Sequence, residues 1–162
     1  MTLVKRGAEA ALYKTEYLGM PALLKERIPK QYRHPSLDER IRKQRTKQEA
    51  VLLHKAKTVG VRSPAILKID KKNASIWMEW INGKQLKEEL NSQKPNGKKK
   101  RVEQVEGHLK KLGKMIAQLH AAGIVHGDLT TSNVLVNKKE MVLIDFGLGF
   151  FPKKRRTAQS IC

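Results

Sequence analysis

Ile124-Val125-His126-Gly127-Asp128-Leu129-Thr130-Thr131-Ser132-Asn133-Val134-Leu135-Val136, followed by Val142-Leu143-Ile144-Asp145-Phe146-Gly147, is the stretch that decides this chain. Val134-Leu135-Val136 and Met141-Val142-Leu143-Ile144 read as the two strands of a hairpin. Asp128, Asn133 and Asp145 lie in the loops beside those apolar runs. Taken singly, each is an ordinary turn former, because Asp and Asn hydrogen-bond their own backbone. Two polar motifs in fixed order, each next to an apolar strand and behind a long helix, are more than turn chemistry requires.

Working outward, the chain is a 162-residue polypeptide with 40% hydrophobic residues, enough for a core in one domain or in two small lobes around one cleft. Lys and Arg number 34 against 15 Asp and Glu, a net charge of +19. Such a chain repels itself and seeks polyanions, nucleic acid before anionic membrane or an acidic protein surface. The one cysteine, Cys162, excludes an internal disulfide and a cysteine-built zinc cluster, and fits the cytoplasm or nucleus. No apolar run suits a signal peptide or a membrane span, so no membrane partner is expected.

The first part reads as β structure: Leu3-Val4-Lys5, then Ala10 to Tyr13 with Tyr17-Leu18, a turn at Gly19-Met20-Pro21, and a strand from Ala22 to Ile28. Ser36 with Glu39 resembles a capping box, and Leu37, Ile41, Leu52, Ala56 and Val59 form a helical stripe ending at Gly60. Strands follow at Ala65 to Ile69 and Ser75 to Ile81, then a short helix at Gln85 to Leu90. Gln93 to Arg101 reads as an exposed loop. Val102 to Ala122 reads as a second long helix, with Val105, Leu109, Leu112, Ile116 and Leu119 inward. The class is α+β in two lobes.

Protein kinases carry H-R-D-x-x-x-x-N and then D-F-G. Here His126-Gly127-Asp128 is followed by Asn133 five residues on, and Asp145-Phe146-Gly147 is intact. Phosphoryl transfer needs charge neutralised and groups aligned more than it needs covalent help. Magnesium takes hard oxygen ligands, which Asn133 and Asp145 supply, and Asp128 is left to accept a proton or orient a nucleophile. The implied cofactors are ATP and Mg2+. Lys25 follows Ala22-Leu23-Leu24 where kinases place a phosphate-orienting lysine, and Glu49 is its expected helix partner. Gly7-Ala8-Glu9-Ala10 falls where a glycine-rich phosphate loop belongs, with one glycine only. Met78-Glu79-Trp80-Ile81 falls at the hinge, where backbone groups of Glu79 and Ile81 either hold adenine or form a plain buried strand.

Together, Gly7-Ala8-Glu9-Ala10, Ile28-Pro29-Lys30-x-Tyr32-Arg33-His34-Pro35, Arg45-Thr46-x-x-Glu49-Ala50, His126 to Asn133 and Asp145-Phe146-Gly147-Leu148 resemble the small atypical kinase subunit of the KEOPS (EKC) complex. The RIO kinases are more distant relatives. The resemblance implies a protein-kinase-like two-lobed fold, with a β-rich N-lobe at 1–81 and a partial C-lobe at 82–150. Because that family continues with further helices, it also implies an incomplete helical C-lobe, with 151–162 a basic tail unlike the family's. It implies Asp128 as catalytic aspartate, Asn133 and Asp145 as metal ligands, and Lys25 with Glu49 as the phosphate-orienting pair. The missing arginine beside Asp128 implies no sensing of activation-loop phosphate.

The activity so implied is that of a serine/threonine kinase behaving largely as an ATPase, in a complex that makes threonylcarbamoyladenosine in tRNA. Partners would be the other KEOPS subunits, including the threonylcarbamoyl transferase, together with tRNA and protein substrates, in nucleus and cytoplasm. The alternative is a catalytically weak form that binds tRNA or a partner through its basic surface: Arg40, Arg42, Lys43, Arg45 and Lys47 on one helix, Lys98 to Arg101, and Lys153 to Arg156. A free-standing small-molecule kinase shares His-Gly-Asp, but the Thr-Thr-Ser-Asn string and the positive charge argue against it.

Overall fold

The computed structural model describes residues 1–92, 98–137 and 140–152. Five strands form an antiparallel sheet in the order β1-β2-β3-β5-β4: β1 (Thr2–Arg6), β2 (Ala10–Tyr17), β3 (Met20–Arg27), β4 (Ile66–Asp70) and β5 (Ser75–Glu79). β2 runs unbroken where the sequence suggested two pieces. Tyr17 pairs with Met20, so the turn is Leu18-Gly19, with φ of 50° and 78°. Positive φ at both turn residues matches the right-handed twist of a two-residue hairpin, which leaves Met20 and Pro21 to start β3. β3 is the central strand. Its Lys25 sits between Leu12 on β2 and Ile76 on β5.

α1 (Pro35–Thr58) connects β3 to β4. Its N-cap is His34, not Ser36, and Pro35 takes the first helical position, where the missing N–H costs nothing. The expected capping box is absent: Ser36 bonds to the His34 ring at 2.8 Å, and Glu39 pairs with Lys43 at 2.5 Å. The anchoring acid is Asp38, buried in the first turn. It accepts from Arg42 Nε at 2.7 Å and from the Lys30 N–H at 3.3 Å. These bonds hold its carboxyl below the usual carboxylate range. The apolar stripe holds only in the second half of the helix. Leu52, Leu53 and Ala56 are buried, but Leu37 is 40% exposed, and the early inward positions are Asp38, Thr46 and Glu49.

The second half begins with β6 (Lys84–Gln85), which pairs with β7 (Val134–Asn137), itself paired with β8 (Glu140–Leu143). The hairpin therefore has a third strand that the sequence did not announce. α2 (Leu86–Ser92) follows β6 directly. α3 (Lys98–Ala121) starts four residues before the expected Val102, so Lys98 to Arg101 belong to a helix and not to a loop; 93–97 lie outside the described residues. Among the residues of α3 whose burial is described, only Leu119, near its end, is well buried. Leu109, expected inward, is 52% exposed.

One continuous core joins the two halves. It includes Leu52 and Leu53 of α1, Ile76 of β5, Leu86, Leu119, Val134, Leu143 and Phe146. The Leu143 N–H donates to the Arg62 carbonyl at 2.9 Å, a backbone link from β8 to the α1–β4 connection. No helix among the described residues is long and apolar enough to cross a membrane.

Leu53 is 1% exposed in this shared core, whereas Leu37 on the same helix faces water. Leu53→Ala should therefore cost about 3 kcal/mol of stability, and Leu37→Ala less than about 0.5 kcal/mol, in urea unfolding.

Candidate active site

Lys25 is the meeting point of three elements. Its Nζ donates to Glu49 Oε1 of α1 and to Asp145 Oδ1 of the loop after β8, each at 2.6 Å. Burial by itself would lower the Lys25 pKa. The carboxylates of Glu49 and Asp145 outweigh it and hold the ammonium above its ordinary 10.5. Burial would likewise raise Asp145, but the Lys25 charge and hydrogen bond, the Gly147 N–H and the Arg27 charge hold it below 3.8. Arg27, two residues along β3 and on the same face, donates Nη2 to Glu49 Oε2 at 2.5 Å. Glu49 is 1% exposed and carries both cations. The Nε of Arg27 is buried with no hydrogen-bond partner among the described residues.

The loops around Asp128 and Asp145 are tied together through His126. The imidazole is buried, its ring 4.4 Å from that of Phe146. Nε2 donates to the Ile144 carbonyl at 3.0 Å, and Nδ1 accepts from the Asp128 N–H at 3.4 Å, which sets one neutral tautomer. Burial pushes the His126 pKa down, in the same sense. Asn133 ends a 3-10 turn, Thr131–Asn133. Its Nδ2 donates to the Asp128 carbonyl at 2.8 Å and to Asp128 Oδ2 at 3.1 Å. That leaves the amide oxygen, Oδ1, as the atom that could ligate a metal. Asp145 has φ of 62°, an uncommon backbone state for a non-glycine residue, and its side chain is 47% exposed.

Gly127 explains why no arginine precedes Asp128. Its φ is 81°, and a Cβ there would overlap the Leu148 carbonyl. The overlap follows from a two-bond bridge between Val125 and Phe150, at 3.0 and 2.9 Å, which lays the segment after Asp145 against Gly127.

The cleft between the halves has two compartments of about 240 Å³ each. Lys25 and Asp145 line both. Gly7, Ala8, Glu9, Ala10 and Asp128 line the outer compartment. Met78, Glu79, Ile81, Asn133 and Ile144 line the inner one. The Glu79 N–H is committed to the Ala65 carbonyl at 2.8 Å, so its share of any hinge contact falls to its own carbonyl. The Glu79 carboxylate is an N-lobe brace, paired with Arg62 at 2.5 and 2.9 Å.

The RIO domain family model matches residues 12–157. The KEOPS complex subunit Bud32 of Pyrococcus abyssi is 43% identical over 93% of this chain and 68% of its own length. This chain belongs to the RIO domain family. The EKC/KEOPS complex subunit bud32 of Dictyostelium discoideum is 40% identical over 91% of the chain and 59% of its own length. A probable bifunctional tRNA threonylcarbamoyladenosine biosynthesis protein of Methanobrevibacter smithii is 43% identical over 91% of the chain and 25% of its own length. The chain thus spans from a quarter to about two thirds of these relatives. The crystal structure of the Rio2 kinase-ADP/Mg2+-phosphoaspartate complex from Chaetomium thermophilum superposes with a TM-score of 0.69 at 13% identity, covering 93% of this chain and 49% of that one. The fold is kinase-like and α+β, as the motifs implied.

Every candidate catalytic, nucleotide-binding or metal-ligating residue from the sequence lines this RIO domain's cleft: Gly7 to Ala10, Lys25, Glu49, Glu79, Ile81, Asp128, Asn133 and Asp145. Among the described residues no three His, Cys, Asp or Glu side chains converge as a metal cage. The donor set of one carboxylate and one amide oxygen instead fits Mg2+, which keeps waters and shares phosphate oxygens. Sequence reasoning missed Arg27 and misplaced Arg45. Arg27 was legible from the i, i+2 alternation of β3, which puts it on the face of Lys25. Arg45 was counted with the basic surface, yet it lines the outer compartment. Arg42 and Lys43 are paired with Asp38 and Glu39.

Removing Glu49 would take the carboxylate from buried Arg27 and leave buried Lys25 with Asp145 alone. Glu49→Ala should cost about 3 kcal/mol or more of stability, as breaking a buried pair does. Glu39→Ala, which loses only the exposed Lys43 pair, should leave the urea midpoint unchanged within error.

Proposed function

We propose that this chain is a Mg-ATP-dependent atypical serine/threonine kinase and ATPase, a subunit of a KEOPS-type complex that forms threonylcarbamoyladenosine in tRNA. The observation that carries the proposal is the Lys25 ammonium, shared by Glu49 and Asp145 at 2.6 Å each beside Asp128 and Asn133. Lys25, steadied by Glu49, orients the phosphates. Asn133 Oδ1 and Asp145 hold Mg2+, which when bound neutralises phosphate charge. Asp128, fixed by the Asn133 amide, positions the hydroxyl or water that attacks. Gly7 to Ala10 cover the phosphates, and the Glu79 carbonyl and Ile81 N–H take adenine. The partners are the other KEOPS subunits, including the threonylcarbamoyl transferase, in keeping with relatives named as a KEOPS complex subunit and as a probable bifunctional threonylcarbamoyladenosine biosynthesis protein. Protein substrates and a nuclear and cytoplasmic location are part of the same proposal.

Asp145→Ala should abolish Mg-ATP turnover and weaken nucleotide binding, because no acid close in sequence replaces the charge. Asp128→Asn should keep nucleotide binding and cut turnover about 100-fold or more. A coupled ATPase assay and equilibrium nucleotide titration on the two variants check this. Unchanged turnover in Asp145→Ala would refute the assignment, and equal losses of affinity and turnover in Asp128→Asn would make Asp128 a metal ligand.

A second reading, a catalytically weak subunit that holds tRNA, draws on the net charge of +19. Backbone-directed binding of this kind should fall steeply with salt and show little base preference. Charge reversal at Lys98, Lys99, Lys100 and Arg101 should weaken tRNA retention and flatten its salt slope, with ATP affinity intact, in a filter-binding titration. No retention at low salt, by the chain alone or with its partners, would leave those charges as solubilising side chains.

A further inference from the structure

The outer compartment holds a cation that the central cluster does not use. Lys25 is committed to Glu49 and Asp145, and Arg27 to Glu49. Arg45 stands apart. It lies four residues before Glu49 on α1, so the helix carries it on the same face, one turn nearer the helix start. Its Nη1 donates to Glu9 Oε2 at 2.9 Å, and it lines the compartment together with Asp128 and Asp145. The side chains of Arg45 and Glu9 are 34% and 49% exposed, so the pair is weakly held.

Glu9 is out of place in a loop that is to meet phosphates, because it sets an acid where an anion must bind. One of the loop's donors is already spent: the Gly7 N–H is committed to the Ala10 carbonyl at 2.9 Å. With one glycine, the loop is a poor amide cradle. A guanidinium offers what the loop lacks, a planar pair of donors matched to phosphate oxygens.

We propose that Arg45 is a terminal-phosphate ligand and that Glu9 is its place-holder. The proposal rests on the nucleotide reading of the cleft and deepens it. Without nucleotide, the Glu9 carboxylate keeps the Arg45 guanidinium over the outer compartment. The γ-phosphate of a bound nucleoside triphosphate then displaces Glu9, and the guanidinium donates to phosphate oxygens instead. A diphosphate, one phosphoryl group shorter, leaves the Arg45–Glu9 pair intact. Arg45 thereby sets the preference for ATP over ADP.

The test is calorimetric titration of the full chain with Mg-ATP and with Mg-ADP, comparing the unsubstituted protein with Arg45→Gln and Glu9→Gln. Nucleotide-free melting curves check that each variant folds. Arg45→Gln should weaken Mg-ATP about tenfold or more and Mg-ADP less than about twofold. Glu9→Gln, which releases the guanidinium in a folded background, should tighten Mg-ATP and leave Mg-ADP unchanged. Equal losses for both nucleotides in Arg45→Gln, or weaker Mg-ATP binding in Glu9→Gln, would make the pair a loop-to-helix staple and overturn the proposal alone. Failure of the unsubstituted chain to bind either nucleotide would overturn the nucleotide reading and this one with it.

Discussion

The buried ammonium of Lys25 is the constraint from which the rest of the site follows. Three segments far apart in sequence, the centre of β3, the middle of α1 and the loop after β8, converge on one nitrogen. A cation 9% exposed is costly unless it is paired and hydrogen-bonded. Glu49 and Asp145 satisfy it, and Glu49 also satisfies Arg27. Burial thus works against the cation while its partners more than compensate, which is why the Lys25 pKa is raised despite the low-dielectric surroundings. The position of α1 against the sheet and the strained backbone of Asp145, with φ of 62°, are both part of the arrangement that keeps this lysine charged.

Around that cluster, backbone contacts fix the second half of the cleft. The Val125–Phe150 bridge brings the segment after Asp145 onto Gly127, and the Leu148 carbonyl fills the space a side chain would take. The arginine that precedes the catalytic aspartate in many kinases is therefore excluded by geometry. His126 does the complementary work from beneath. Its single neutral tautomer links the Ile144 carbonyl to the Asp128 N–H, so the two acids are spaced by one ring. Gln48 of α1 adds a further tie, donating to the Gly149 carbonyl at 2.7 Å. The outer end of the site is looser, with Glu9, Arg45 and Asp145 all partly open to solvent.

How much of this was legible in the sequence depended on whether a signal was local. His126 to Asn133 and Asp145 to Gly147 are contiguous motifs between apolar strands, and the structure places them at one cleft. Lys25 and Glu49 were found by their order along the chain, and they meet at 2.6 Å. What escaped were features set by tertiary neighbours. The start of α1 buries Asp38, Thr46 and Glu49, so a search for an apolar stripe chose Leu37 wrongly, and Pro35 at the first helical position moved the cap from the expected Ser36 to His34. α3 follows a helical pattern, yet Leu109 faces water because nothing among the described residues covers it. β6 is two residues long, too short for any periodicity, and only its pairing with Val136 and Leu135 defines it. Arg45 looked like one more surface cation because its partner, Glu9, is 36 residues away.

The most direct measurement is a crystal structure of the chain with Mg2+ and a non-hydrolysable ATP analogue. The account predicts adenine in the inner compartment between Met78 and Ile81. It predicts phosphates beside Lys25, with the Lys25–Glu49 bond kept, and the metal held by Asn133 Oδ1 and Asp145. A nucleotide bound elsewhere, or a metal with neither of those ligands, would contradict it.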